Sequence, residues 1–134
     1  MSPYSRHVDA QAQADHAVAR ATERLKGAVA GSIVVDSVFH YGAVNLDPGH
    51  LVVWVLLSGT DDDELPRWYF GRGVAAESSQ ADRLGPELEV ALADAQSVVR
   101  AELEAVGWPS AKTASVGFDS SHRVEANGGW EYFK

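Results

Sequence analysis

Two stretches of the chain repeat apolar residues every three or four positions, a spacing that gives a helix one apolar face. The first covers residues 8–30, is rich in alanine and is followed by Gly31 as a natural stop. The second covers residues 86–106, with Pro86 in its first turn and Gly107 as a C-cap candidate. Because the first apolar face is built from small side chains, we expect that helix to pack closely against a sheet.

Three further stretches predict strands. Residues 32–44 are dense in β-branched and aromatic side chains, and simple alternation places Ile33 and Phe39 on the same face. Residues 51–57 are apolar on both faces, which is typical of a central strand or one covered on both sides. Residues 112–119 alternate between apolar and polar, which is typical of a half-exposed strand.

The first two strands are separated by a turn sequence, NLDPGH, at residues 45–50. The Asp47 side chain can bond nearby backbone N–H groups, Pro48 presets φ, and Gly49 tolerates a positive φ. A connection this short between two β stretches predicts an antiparallel hairpin.

Other parts of the chain are less regular. Residues 59–85 form a long connection, and connections of this length in a small domain are often functional or mobile. Within it, residues 67–70 (RWYF) fit either a short strand or an aromatic plug. Residues 120–127 fit a turn or one short helix capped by Ser or Asp. Residues 130–133 fit a last short strand.

These elements predict a single α+β domain over residues 1–134, with a flexible segment at 1–7 and the order α-β-β-loop-α-β-β. Two amphipathic helices need a sheet face on which to bury their apolar sides. We therefore expect an antiparallel sheet of four or five strands with both main helices packed on one face.

Composition excludes several classes of site and location. The chain has no cysteine, which excludes disulfides, thiolate metal sites and cysteine nucleophiles. Its longest apolar run, Leu51 to Leu57, is far shorter than the roughly 20 residues that span a bilayer. The first residues lack the apolar core of a signal peptide. We expect a soluble, cytoplasmic protein without a membrane partner.

The net charge of −8 arises from 19 acidic and 11 basic residues, and the basic residues are scattered. Nucleic-acid binding needs clustered Lys and Arg, so we expect no nucleic-acid partner. An acidic surface suits a basic protein partner, although net negative charge also simply keeps a small protein soluble.

His40, Asp47 and His50 are candidate metal ligands around the hairpin. Their spacing matches no known ligand motif, and His40 and His50 could instead be cross-strand neighbours. We favour a turn aspartate with two histidines that pack or lie at the surface. The prediction is therefore no metal and no cofactor.

Catalytic motifs are also lacking. The run Asp119-Ser120-Ser121-His122 contains the residue types of a hydrolase triad, but a triad is assembled from separate elements. There is no G-x-S-x-G elbow, and the GRG at 71–73 is too short for a phosphate-binding loop. We predict no catalytic residue and favour a protein that is not an enzyme.

Acidic and aromatic residues in the less regular segments are the candidate partner-binding surface. Trp and Tyr are enriched at interface hot spots, and consecutive carboxylates offer a docking patch to a basic partner. The alternatives are a solvated acidic loop and aromatic side chains in the core, where we place Trp54 and Trp108. The candidates are Asp61, Asp62, Asp63, Glu64, Trp68, Tyr69, Phe70, Trp130 and Tyr132.

The run GHLVVWVLLSGTDDDEL, a long helix ending in GWP and then VGFDSSHRVEANGGWEYFK together resemble small bacterial proteins of no assigned activity. Some proteins of this build serve as immunity proteins, which bind and block a toxin. The resemblance covers about the last two-thirds of the chain. It includes no catalytic motif, so it carries over no functional residue, and it implies binding to a protein.

Three functions stay open from the sequence. The first is a non-enzymatic protein-binding module, either immunity-like or self-associating, with a protein partner or a homo-oligomer. The second is a small-molecule-binding protein or small enzyme with a pocket near His40, His50 and residues 59–85. The third is an accessory subunit of a larger complex.

Overall fold

The computed structural model describes most of both predicted helices, most of the three predicted strands and the segment that follows the last of them. The described residues are 3–26, 28–30, 33–41, 50–59, 69–70, 86–109 and 111–129.

The described residues include three α-helices, α1 (Pro3–Leu25), α2 (Pro86–Ala105) and the short α3 (Ser121–Ala126), and a 3-10 turn at Ala111–Thr113. Helix α1 begins inside the segment that was expected to be flexible and ends at Leu25. The prediction that this helix reaches residue 30 is wrong, because Ala28–Ala30 forms strand β1. Pairing with a neighbouring strand supplies the backbone hydrogen bonds there and overrides the helix propensity of alanine.

The end of α2 agrees with the sequence prediction. Gly107 has a φ of 81°, and the Trp108 N–H donates to the carbonyl oxygen of Leu103 at 3.0 Å. A glycine in the left-handed region with a bond back into the last turn is a usual helix end.

The sheet is mixed. Strands β2 (Ile33–Tyr41), β3 (Val52–Ser58) and β4 (Ser115–Ser120) lie side by side, and the three-residue β1 adds to the outer edge of β2. Strands β2 and β3 form the predicted antiparallel hairpin, whereas β3 and β4 are parallel. The prediction of a wholly antiparallel sheet is therefore wrong. The chain leaves β3, passes through α2 and returns in the same direction, as a crossover connection requires.

The predicted element order also needs correction. It lacked β1, and α3 follows β4 directly. The turn at residues 42–49 and the last strand predicted at 130–133 lie outside the described residues.

A β-bulge interrupts strand β2. The register pairs Val35 with Leu57 and Ser37 with Leu56, so that Asp36 is an extra residue on β2. An extra residue in one strand moves every later side chain to the opposite face.

The bulge decides which face each side chain of β2 occupies. After it, His40 pairs with Val53 and Phe39 pairs with Trp54. Val53 and Ile33 belong to the core that faces the helices, so His40 lies on the helix side and Phe39 on the other. The prediction that Ile33 and Phe39 share a face is wrong because simple alternation does not foresee a bulge.

Helices α1 and α2 contact each other and bury their apolar sides in one core with alternate residues of β3 and β4. The residues that α1 contributes are small, which lets it pack closely, as its sequence predicts. The buried members of this core from helices and strands are Ala14, Ala17, Val18, Ala21, Leu88, Leu92, Ala95, Val99, Leu103, Ile33, Val53, Val55, Leu57, Val116 and Phe118.

The second face of the sheet carries the buried Trp54. Trp108, which follows the end of α2, is also buried. The Trp54 ring packs on Phe70, with centroids 5.1 Å apart and planes tilted by 59°. Both tryptophans assigned to packing from the sequence are therefore packed inside the protein. Within the described part of the chain, no helix is long and apolar enough to cross a membrane.

Candidate functional site

His40 makes a polar contact between β2 and α1. Its Nε2 lies 2.6 Å from Oδ1 of Asp15 and 3.4 Å from Nε2 of Gln11, while its Nδ1 is buried without a hydrogen-bond partner among the described residues. A carboxylate can orient an imidazole in this way for catalysis. Among the described residues, however, no three His, Asp or Glu side chains are grouped closely enough to hold a metal ion. The contact ties the helix to the sheet.

The other two candidate ligands do not join His40 in the described structure. His40 is paired with Val53, so it is not the cross-strand neighbour of His50, and that prediction is wrong. His50 is exposed. Asp47 lies outside the described residues.

The junction of β4 and α3 uses its polar residues for structure. The Ser120 hydroxyl accepts a hydrogen bond from the Arg123 N–H at 3.2 Å, so the predicted capping of a short helix is confirmed. The fully buried Asp119 accepts from Nη1 of Arg123 at 2.8 Å and from the N–H of Ser120 at 2.7 Å. The result is a buried ion pair and a cap at the end of the strand.

The two remaining members of the sequence run that resembled a triad lie in the first turn of α3. The Ser121 hydroxyl donates to the carbonyl oxygen of Leu57 at 3.2 Å, and His122 is exposed. Ser121 therefore joins α3 to strand β3.

Two of the predicted partner-binding residues lie in the described structure, and both contact the protein itself. Tyr69 pairs with Phe118 at the edge of β4 that faces away from β3, and it is only 5% exposed. Phe70 is half-buried against Trp54, and its carbonyl oxygen accepts from Nε2 of Gln96 at 2.8 Å. This contact agrees with the aromatic plug that was one of the two alternatives for residues 67–70. The predicted residues outside the described ranges are Asp61, Asp62, Asp63, Glu64, Trp68, Trp130 and Tyr132.

An open groove of about 300 Å³ lies between the C-terminal end of α1 and the N-terminal half of α2. Arg24, Leu25 and Lys26 form the α1 wall. The α2 side includes Val90, whose side chain is 62% exposed, the most exposed large apolar residue in the described part of the chain. Sequence reasoning missed this groove. The available signal was an apolar Val90 lying off the apolar face of α2.

The charged side chains around the groove differ in whether they already have partners. Arg24 is paired with Glu102 at 3.2 Å, and Lys26 is paired with Glu23 at 3.3 Å. Glu87 and Asp94 on α2 form no hydrogen bond or ion pair with any other described side chain. The carboxylates on the α2 side are therefore open to a ligand.

A buried carboxylate links the two helices that form the walls of the groove. Glu102 on α2 is almost fully buried and accepts from Nε of Arg20 and from Nη1 of Arg24, both at 3.2 Å. A carboxylate that accepts two charged hydrogen bonds adds to the apolar packing that sets the relative position of the two helices. The groove is thus a preformed surface between two braced helices.

Compared with known proteins, the chain matches no family model, no curated protein and no solved structure. The resemblance to immunity proteins stays a prediction.

Proposed function

We propose that this chain is a non-enzymatic protein-binding module and that the groove between α1 and α2 receives the partner. The observation that carries the proposal is the exposed Val90 at the groove. On either side of it along the helix are the carboxylates of Glu87 and Asp94, which have no partner among the described residues. Val90 is not isolated, because Leu25, Ala91 and Val98 also line the groove. An apolar patch that is rimmed by polar groups is typical of an interaction site.

The shape of the groove favours a protein over a small molecule. A small-molecule pocket usually encloses most of its ligand's surface and has a volume of about 300–1,000 Å³. This groove is at the lower limit of that range and is open rather than enclosed. An open channel between two helices suits an amphipathic segment that lays one apolar side into it.

The partner is a protein, as the resemblance to toxin-blocking immunity proteins implies, and the two meet in the cytoplasm. Nucleic acid is a poor partner for a chain of net charge −8.

A comparison of groove and control variants tests this function. Immobilised wild-type chain, Val90→Asp and Ala101→Asp are each exposed to lysate of the source organism. Ala101 is exposed on the same helix but outside the groove, so it is a matched control. Proteins retained by the wild type and by Ala101→Asp but lost from Val90→Asp are identified by mass spectrometry, purified and titrated by calorimetry.

We expect one such protein, with saturable binding to the purified chain that is at least tenfold weaker for Val90→Asp. Equal retention by all three forms would exclude the groove as the docking surface. Turnover of a substrate by the purified chain would contradict the non-enzymatic assignment.

A further inference from the structure

Glu87, Val90 and Asp94 lie three and four residues apart on the exposed side of α2, and we refer to them as the α2 stripe. Residues at these spacings lie one above the other on a helix surface. The α2 stripe therefore presents a carboxylate, an apolar side chain and a second carboxylate along about 10 Å of helix.

The charge that the α2 side of the groove offers to a ligand is negative. The cations on the α1 wall, Arg24 and Lys26, already contact carboxylates within the protein, whereas Glu87 and Asp94 contact no described cation. The rest of the chain adds to this sign, because its net charge is −8. Both the local and the overall charge attract a cationic ligand and raise its rate of encounter.

We infer that the occupant of the groove is a basic, amphipathic helix of a protein partner. It sets an apolar side chain against Val90 and places Lys or Arg side chains beside Glu87 and Asp94. A helix lying along α2 repeats the spacing of three and four residues, so that all three contacts form together. This inference rests on the proposed function, because it names the partner class of the same groove.

A second copy of this chain fits the groove less well. Each copy carries a net charge of −8, and two copies that meet through the α2 sides of their grooves bring Glu87 and Asp94 against the same two carboxylates, which repel. Like charges placed across an interface suppress association.

Synthetic peptides test the inference without knowledge of the natural partner. The probes are two helical peptides of about 15 residues with the same apolar face, one with lysines and one with glutamates beside it. Each is titrated into ¹⁵N-labelled full-length chain, and amide shifts are recorded. We expect the lysine peptide to shift signals from Leu25, Val90 and Asp94, and the glutamate peptide to leave them unchanged.

Charge variants provide the second measurement. Replacing Glu87→Gln and Asp94→Asn together is expected to weaken binding of the lysine peptide about three- to tenfold, since each exposed ion pair contributes modestly. The control is Glu104→Gln with Glu125→Gln, which also removes two exposed carboxylates, but outside the groove. Its binding is expected to match the wild type. Raising the ionic strength to about 0.5 M is expected to weaken binding of the lysine peptide to the wild type more than its binding to the variant that lacks the charges of Glu87 and Asp94.

Five outcomes overturn the inference: no binding of the lysine peptide, equal binding of both peptides, binding that the charge variants and salt leave unchanged, shifts that map outside the groove, or a concentration-dependent dimer that fills it. Its failure is separable from that of the proposed function. A captured protein that is lost with Val90→Asp but unaffected by the charge variants and by salt supports the function while contradicting a basic occupant. Equal capture by Val90→Asp and wild type contradicts both.

Discussion

Gly117 on β4 stands opposite Trp54 on β3, and a β-carbon at position 117 would lie 2.7 Å from Cζ3 of the indole. The ring of Phe70 closes the same space, with Cε1 at 2.8 Å from that position. Glycine is needed here to leave room for two aromatic rings. The strand, the indole and the segment at 69–70 are therefore packed as one unit.

Replacement of Gly117 by alanine is expected to destabilise the protein by about 1–3 kcal/mol, because the added methyl group overpacks the contact with Trp54. Urea denaturation followed by circular dichroism measures the loss. Ser115→Ala, at an exposed position of the same strand, is the control and is expected to stay within about 0.5 kcal/mol of the wild type. A Gly117→Ala protein as stable as that control would contradict the close packing.

The small buried side of α1 gives a matched pair of substitutions. Ala17 is buried against the core, whereas Ala19, two residues along, is exposed. Ala17→Leu is expected to destabilise the protein by about 1–3 kcal/mol through overpacking, whereas Ala19→Leu changes stability by less than about 0.5 kcal/mol. Thermal melting curves of the two variants measure this difference. Similar losses of stability would mean that α1 is not packed through its alanines.

The buried pair of Asp119 and Arg123 predicts a large asymmetry between single and double substitutions. Asp119→Ala leaves the Arg123 guanidinium buried without this carboxylate, and it is expected to lower the free energy of unfolding by about 3–5 kcal/mol. Asp119→Leu combined with Arg123→Met removes both charges and is expected to retain more stability than Asp119→Ala. If denaturant midpoints instead place the double variant below the single one, the charges contribute more than their burial costs.

The carboxylate that joins α1 to α2 is expected to contribute less than its burial suggests. Arg20 and Arg24 are about half exposed, so water screens their attraction to Glu102 and solvates them when it is removed. Glu102→Gln is expected to lower the free energy of unfolding by up to about 2 kcal/mol, and this difference from the wild type is expected to shrink as salt is added. Glu104→Gln, at an exposed site on the same helix, serves as the control. A salt-independent difference would point to packing as the cause.

The candidate site was only partly predictable. Leu88, Leu92 and Val99 mark the buried side of α2 by their spacing alone, and this leaves Val90 as an apolar residue on the wrong side of the helix. That position was a signal of a surface site. Its neighbours in the groove come from α1, about 65 residues earlier in the chain, and no local pattern relates the two segments.

Sequence alone determined the elements whose stabilising contacts are local. The helical spacing of apolar residues gives α1 and α2, the turn between the first two long strands gives the hairpin, and Ser120 caps α3. Each depends on residues a few positions apart, so the pattern is readable in one dimension. Only the tertiary structure decided the parallel direction of β4, the bulge at Asp36 that turns His40 toward α1, and the groove beside Val90. These depend on which distant segments pair and pack, and that choice is made by burial summed over the whole core.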